Sequence, residues 1–131
     1  MKEIIKTAFV PMLAIAHGTM ELDFYKNAFN AIETKHIEND DGSIHVSEMF
    51  IFGAMIHFHE ESYNGSTFSP DKHKGVTTTI GLMVADVDVI MTRAISFGAG
   101  LLSPAIDYDY GYRQGKIIDP LGHHWIIEKI L

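Results

Sequence analysis

The side chains that could bind a ligand or a metal ion in this sequence are eight histidines and a group of C-terminal tyrosines. His57, His59 and Glu61 occupy alternate positions, so in a β-strand all three would point to one face of a sheet. With His45 on a neighbouring strand, they could bind a divalent metal ion through imidazole and carboxylate groups. They could also line a polar face without metal, which we favour because a metal site further requires converging ligands and supporting contacts. The remaining isolated histidines are expected in loops or at the surface: His17, His36 and His73.

A second polar group surrounds a tight turn near the C-terminus, at residues 119–122. The turn carries a proline that restricts φ at its second position and a glycine that can adopt positive φ at its end. Before the turn, Tyr110 and Tyr112 could stack on a ligand, and Arg113 could bind a carboxylate or phosphate. After it, Trp125 offers a further stacking surface. The alternative is a hairpin whose aromatic side chains cover the core and whose arginine is solvated.

Composition limits the class of protein. The chain has 131 residues, 47% of them hydrophobic and 21% charged, which suits one globular domain with a substantial core. The formal net charge of −7 disfavours a nucleic-acid partner, since a phosphate backbone would be repelled. No apolar run reaches the length of a membrane span, and we expect no signal peptide and no membrane partner. The absence of cysteine fits a cytoplasmic location and excludes thiolate chemistry.

The order of predicted elements repeats. Module 1, at about residues 1–61, and module 2, at about 76–131, each read as strand, helix and three strands, with a polar linker at 62–75. In module 1 the helix is expected to begin at an N-cap on Thr19, and in module 2 on Asp86, with Gly98 after its end. The sequence therefore predicts a single α+β domain of two βαβββ modules in tandem, forming curved mixed sheets around a cleft.

Several segments resemble the vicinal oxygen chelate superfamily, which includes glyoxalase I, bleomycin-resistance proteins and extradiol dioxygenases. These segments are FYKNAF in the first helix, ADVDVIMTRAISFGA in module 2, and DPLGHHW at the C-terminal turn. The run from Tyr110 to Trp125 resembles the PhnB-like branch more narrowly, and His45 is a further match. The resemblance implies a homodimer, because such folds usually complete their curved sheets by pairing.

Metal-dependent members of this superfamily take one ligand from each of four strands. The corresponding positions here fall at about Val10, His57, Thr79 and Ile126. Only His57 offers a donor suited to a divalent ion. The resemblance therefore implies that the usual metal site is absent, and we expect no cofactor.

These observations leave three functions to be distinguished. The first is a metal-free protein that binds a small molecule in the cleft between the modules, and its ligand-binding residues would be His45, His57, Tyr110, Tyr112, Arg113 and Trp125. The second is a metal-dependent lyase, isomerase or dioxygenase with a non-standard divalent metal site, whose candidate ligands are His45, His57, His59 and Glu61, with Glu128 nearby. The third is a dimeric structural or regulatory module without a small ligand. We favour the first.

Overall fold

A computed structural model of the chain describes residues 6–131 and contains two four-stranded mixed sheets. The elements are β1 (Met12–Ile15), α1 (Asp23–Phe29), β2 (Ile32–Glu38), β3 (Ile44–Ile51), β4 (Ala54–Glu60), α2 (Pro70–His73), β5 (Thr79–Met83), α3 (Val87–Ser96), β6 (Gly100–Tyr108), β7 (Tyr112–Ile118) and β8 (His124–Ile130). Within these residues, no helix is both long and apolar enough to cross a membrane.

The two sheets have the same topology. Sheet A has the strand order β1-β4-β3-β2, and sheet B has the order β5-β8-β7-β6. In each sheet the first strand pairs in parallel with the last, and the other pairs are antiparallel. The predicted α+β fold of two tandem βαβββ modules is thereby confirmed.

One core joins both modules because α1 contacts both sheets. The ring centroid of Tyr25 is 4.5 Å from that of Phe58 in sheet A and 6.1 Å from that of Trp125 in sheet B. Phe29 lies 5.0 Å from Trp125 on the same side. All four side chains are almost fully buried, and each contributes on the order of 2–3 kcal/mol by burial alone.

Strand alternation gives each sheet a second face, turned away from this core. We call these the outer faces. The outer face of sheet A carries Met12, Ala14, Val46, Glu48, His57 and His59, which are aligned across β1, β4 and β3. The outer face of sheet B carries Met83, Glu128, Gln114, Ile126, Tyr112 and Tyr108, which are aligned across β5, β8, β7 and β6.

The two helix starts differ from each other. Asp86 caps α3 as predicted, since its carboxylate accepts a hydrogen bond from Val89 N at 3.1 Å, and Gly98 follows the helix with φ of 109°. The prediction for Thr19 is wrong, because α1 begins only at Asp23. The Thr19 carbonyl accepts a hydrogen bond from Ile44 N at 2.8 Å, so this residue is held beside the start of β3 instead.

The segment between the modules is anchored to both. It contains the short helix α2, and Ser69 N donates to the buried Glu61 carboxylate at 2.9 Å. Pro70 packs against the turn before β8, where a Cβ on Gly122 would lie only 2.7 Å from the Pro70 Cβ. Gly122 also has φ of 94°, as predicted for the end of the turn. Any larger residue at this position would push the linker away from sheet B.

Candidate functional site

The outer face of sheet A carries a hydrogen-bonded pair of His57 and Glu48. The two strands place these residues opposite each other, and His57 Nε2 lies 2.9 Å from a Glu48 oxygen. Thr34 donates to the other oxygen at 2.9 Å. The hydrogen bonds from Thr34 and His57 lower the pKa of Glu48. Because the carboxylate only accepts, this hydrogen bond requires a proton on His57 Nε2.

A second cluster lies at the end of β4, around the buried carboxylate of Glu60. His45 Nδ1 lies 2.6 Å from one oxygen and His17 Nδ1 lies 2.9 Å from the other. Asn39 donates to the second oxygen at 3.3 Å. The hydrogen bond from His17 is the largest cause that lowers the pKa of Glu60 below its ordinary value. His17 also stacks on Tyr63, with ring centroids 4.0 Å apart.

The histidines and glutamate proposed from the sequence as a non-standard metal set do not share one site. His57 pairs with Glu48, and His45 pairs with Glu60. His59 bonds through Nδ1 to the Glu60 main-chain carbonyl at 2.6 Å, and its ring lies 4.9 Å from that of His45. Glu61 holds the linker. Across residues 6–131, no three histidine, cysteine, aspartate or glutamate side chains are grouped as a metal ion requires.

The four strand positions implied by the family resemblance do not form a metal site either. In the parallel pairings, the β1 residue beside His57 is Met12, and the β5 residue beside Ile126 is Gly81. Neither Met12 nor Gly81 offers an oxygen or nitrogen side-chain donor, and Ile126 offers none. A hard divalent ion prefers oxygen ligands, and other divalent metals need several nitrogen, oxygen or sulfur donors. The residues at these positions therefore do not fit the superfamily's metal.

The outer face of sheet B carries a chain of hydrogen bonds. The Tyr110 hydroxyl donates to Gln114 Oε1, and Gln114 Nε2 donates to Glu128 Oε1 at 2.7 Å. Tyr110 stacks on Tyr108 with ring centroids 5.2 Å apart, and Tyr112 lies 6.0 Å from Tyr110. Burial, together with the nearby Tyr108 and the negative charge of Glu128, raises the pKa of Tyr110. Phenol, amide and carboxylate groups are thus ordered on one surface.

The carboxylate at the end of this chain lies against Gly81. Gly81 is paired with Ile126, next to Glu128 on the same face. A Cβ on residue 81 would lie 2.6 Å from Glu128 Oε2, closer than side chains tolerate. Glycine therefore leaves the space that the Glu128 carboxylate occupies.

Two of the predicted ligand-binding residues have other partners. Trp125 is 1% exposed, and its Nε1 donates to Asp119 Oδ2 at 2.9 Å inside the core. It lies on the helix-facing side of sheet B, so its predicted stacking on a ligand has no support in this structure. Arg113 donates to Asp88 at 2.8 and 3.2 Å and to Asp107 at 3.0 Å. Two carboxylates already satisfy its guanidinium and raise its pKa further, which removes the reason to expect an anion contact there.

The other four predicted residues remain accessible, but they belong to three separate surfaces. His57 lies on the outer face of sheet A, His45 lies in the Glu60 cluster, and Tyr110 and Tyr112 lie with the outer face of sheet B. A cavity of about 510 Å³ lies between β1, β5 and the linker, and none of the six predicted ligand-binding residues lines it.

Sequence reasoning missed the importance of Glu60 and His17. Glu60 lies between His59 and Glu61, so strand alternation turns it to the opposite side of the sheet. A buried position for a glutamate implies several donors, but the sequence has no signal that residues 17, 39 and 45 would supply them. His17 lies in the turn after β1, as predicted for a loop residue, but it also stacks on Tyr63 and bonds to Glu60.

Comparison with known proteins identifies a family. No family model matches the chain. An uncharacterized protein of Mycobacterium bovis is 31% identical over 124 residues, which cover 92% of this chain and 82% of the mycobacterial protein. The chain belongs to the family of that protein. The shared region contains both modules, so the likeness is not confined to one repeat.

Solved structures agree on the fold. A gene product of Arabidopsis thaliana is 26% identical and superposes with a TM-score of 0.70, covering 94% of this chain and 98% of the plant protein. A glyoxalase/bleomycin resistance protein/dioxygenase family enzyme of Burkholderia phytofirmans is 19% identical, with a TM-score of 0.68 over 92% of this chain and 97% of that protein. The fold is therefore that of the vicinal oxygen chelate superfamily.

Proposed function

We propose that this protein binds a small molecule on the outer face of sheet B and that it does so without a metal ion. The observation that supports this is the hydrogen-bonded chain of Tyr110, Gln114 and Glu128, which ends at a Glu128 oxygen that accepts no hydrogen bond from the described residues. A few well-placed polar groups beside aromatic and apolar side chains are typical of ligand sites. The fold and the PhnB-like motif from Tyr110 to Trp125 are consistent with this class of protein.

We further propose that a homodimer completes the site. Both outer faces expose large apolar side chains: Met12 is 59% exposed on sheet A, and Met83 is 51% exposed on sheet B. A partner copy that placed its sheet A over sheet B would cover both residues. His57 and Glu48 of sheet A would then face the bound molecule from the opposite wall, enclosing it in a cleft between modules of different chains.

The proposal of a metal-free site follows from the donor groups. Only His57 among the four superfamily positions offers a metal ligand, and its Nε2 is already bonded to Glu48. We propose for the same reason that the activity is binding rather than Lewis-acid catalysis. A cytoplasmic location remains our proposal from the cysteine-free sequence.

A fragment screen followed by NMR titration tests the binding site. We expect at least one aromatic or apolar fragment to shift the tyrosine resonances of sheet B. Tyr110→Ala should weaken that fragment about 5- to 10-fold, because it removes a stacking surface and the group that orients Gln114. Tyr63→Ala is the matched control, since Tyr63 is 87% exposed and lies beside His17, outside this face. Equal loss in both variants, or no fragment binding on this face, would contradict the proposal.

Native mass spectrometry tests the dimer and the metal. The expected mass is that of two chains with no added ion, unchanged by chelator. A metal ion on each chain that chelator removes would show that the proposal of a metal-free site is wrong. A monomer at micromolar concentration would contradict the two-chain cleft, and the fragment titration would then decide separately whether sheet B binds alone.

A further inference from the structure

The open oxygen of Glu128 indicates what the ligand must supply. A carboxylate can accept about four hydrogen bonds in all. Glu128 Oε1 accepts one from Gln114 at 2.7 Å, and in the described part of the chain no side-chain donor reaches Oε2. Oε2 lies over Gly81, in space that a side chain on residue 81 would take. The missing partner is therefore a hydrogen-bond donor.

The neighbouring groups hold this carboxylate in place before any ligand arrives. The Tyr110 hydroxyl donates to the oxygen of the Gln114 amide, so the amide nitrogen must point toward Glu128. The carboxylate consequently has one oxygen fixed and the other presented. Binding to a group that is already oriented loses little conformational entropy.

The surrounding charge favours a cation over a neutral donor. Arg113 is neutralised by Asp88 and Asp107 and does not compensate Glu128. Lys116 projects from the same face, but its ammonium forms no ion pair within 4 Å of Glu128 among residues 6–131. The whole chain carries a formal charge of −7. An anion would be repelled by Glu128, whereas a cation gains both the charge and the hydrogen bond.

The aromatic side chains of this face offer a second contact that favours a cation. Tyr108 and Tyr110 stack 5.2 Å apart, and Tyr112 lies beside them. The negative faces of such rings attract cations. The apolar part of a ligand could lie on Met83 and Ile126, which flank Glu128 along the sheet.

We propose that the ligand of sheet B carries a protonated amine or a guanidinium group attached to an apolar or aromatic body, and that Glu128 recognises the charged group. This inference rests on the proposed binding function of the same face. It differs from the expectation based on Arg113, which pointed to an anionic ligand.

Three probes of matched shape test the charge preference: phenethylamine, 2-phenylethanol and 3-phenylpropanoate. Each is titrated into the full-length protein while the resonances of the sheet B tyrosines are followed. We expect the amine to bind about ten-fold more tightly than the alcohol, and the carboxylate to bind least. Equal affinity for amine and alcohol would overturn the inference but leave the binding function intact. If none of the probes shifts these resonances at millimolar concentration, both proposals are contradicted.

Two charge-matched variants assign the preference to Glu128. Glu128→Gln keeps the size of the side chain and its contact with Gln114 but removes the charge, so the amine should lose about ten-fold in affinity and the alcohol should change little. Asp71→Asn, on the exposed α2, removes the same charge far from the face and should leave both affinities unchanged. An equal loss in the two variants would mean that net charge, and not Glu128, attracts the amine, and would overturn the inference.

Discussion

Glu60 and Glu128 each lie on the last strand of a module, and the two carboxylates are used in opposite ways. Glu60 is 5% exposed and accepts hydrogen bonds from His17, His45 and Asn39. Glu128 is half-buried and accepts one, from Gln114. Both oxygens of the first carboxylate accept hydrogen bonds from the protein, whereas one oxygen of the second accepts none from the described residues.

A displacement of one residue within the repeat produces this difference. Glu128 is paired with Met83 on β5, and the equivalent pair in module 1 is His59 with Ala14. Glu60 is therefore one position further along its strand than Glu128 is along β8. Successive strand residues point to opposite faces, so Glu60 points toward the core side and Glu128 toward the outer face. The same backbone plan can thus direct a carboxylate into a hydrogen-bonded cluster in one module and onto the outer face in the other.

We expect the largest loss of stability from substitution of Asp119, a carboxylate whose acceptor positions are all used. It accepts hydrogen bonds from Tyr25 at 2.5 Å and Trp125 at 2.9 Å, and from two main-chain nitrogens of its own turn. Asp119→Ala leaves these donors buried without a partner and should lower the free energy of unfolding by about 3 kcal/mol or more. Urea denaturation followed by the fluorescence of the single tryptophan measures it. The exposed Asp109→Ala should change stability by less than about 0.5 kcal/mol, and similar effects of both substitutions would disprove the role of saturation.

Glu60→Gln should cause the next largest loss in the free energy of unfolding. The loss should depend on pH, because it comes from the ionised carboxylate. The pKa of Glu60 is lowered in the folded protein, so its contribution to stability is present above the ordinary value of 4.5 and is lost as pH falls through the folded value. Glu60→Gln should cost about 1–2 kcal/mol at neutral pH and less in acid. Unfolding measured from pH 7 to pH 3 checks this, and a loss that does not vary with pH would contradict the ionic clamp. Ligand affinity on sheet B should remain unchanged.

Arg113→Gln tests whether the ion pairs of Arg113 with Asp88 and Asp107 serve stability and not ligand binding. Asp88 and Asp107 are each more than 60% exposed, so solvent screens these ion pairs. We expect a small loss of stability that shrinks in high salt. The amine probe should bind the variant as well as it binds the wild type. A loss of affinity for the carboxylate probe alone would instead restore Arg113 as an anion contact.

The smallest effect on stability is expected for Glu128→Gln, which completes the comparison with Glu60. Gln114 can still donate to the substituted amide oxygen, and no other side-chain partner is lost. The free energy of unfolding should change by less than about 0.5 kcal/mol, although the amine probe binds more weakly. A loss as large as that of Glu60→Gln would show that Glu128 is itself a structural clamp.

Local sequence signals predicted much of the fold. The repeat of strand, helix and three strands, the cap at Asp86 and the positive φ at Gly122 were all correctly predicted, because each depends on residues that are neighbours in the chain. The prediction for Thr19 was wrong because a contact with Ile44, distant in sequence, holds its carbonyl.

Local signals did not predict the site in the same way, because its side chains contact residues that are distant in the sequence. Alternation correctly placed His57 and His59 on one face of sheet A. It did not show that the His57 ring would be hydrogen-bonded to Glu48. A tryptophan in a predicted strand can either stack on a ligand or fill the core, so the sequence did not distinguish these roles for Trp125. Only the position of α1, whose Phe29 lies 5.0 Å from the indole, decides that it is core.

The sequence by itself determined which side-chain chemistry is available: no thiolate, eight imidazoles, and a C-terminal segment rich in tyrosine with a glutamate. Residue types alone settle those points. Only the tertiary structure decided which carboxylates receive hydrogen bonds on both oxygens, because partners such as His17 and Glu60 are 43 residues apart and meet only when β1 and β4 pair.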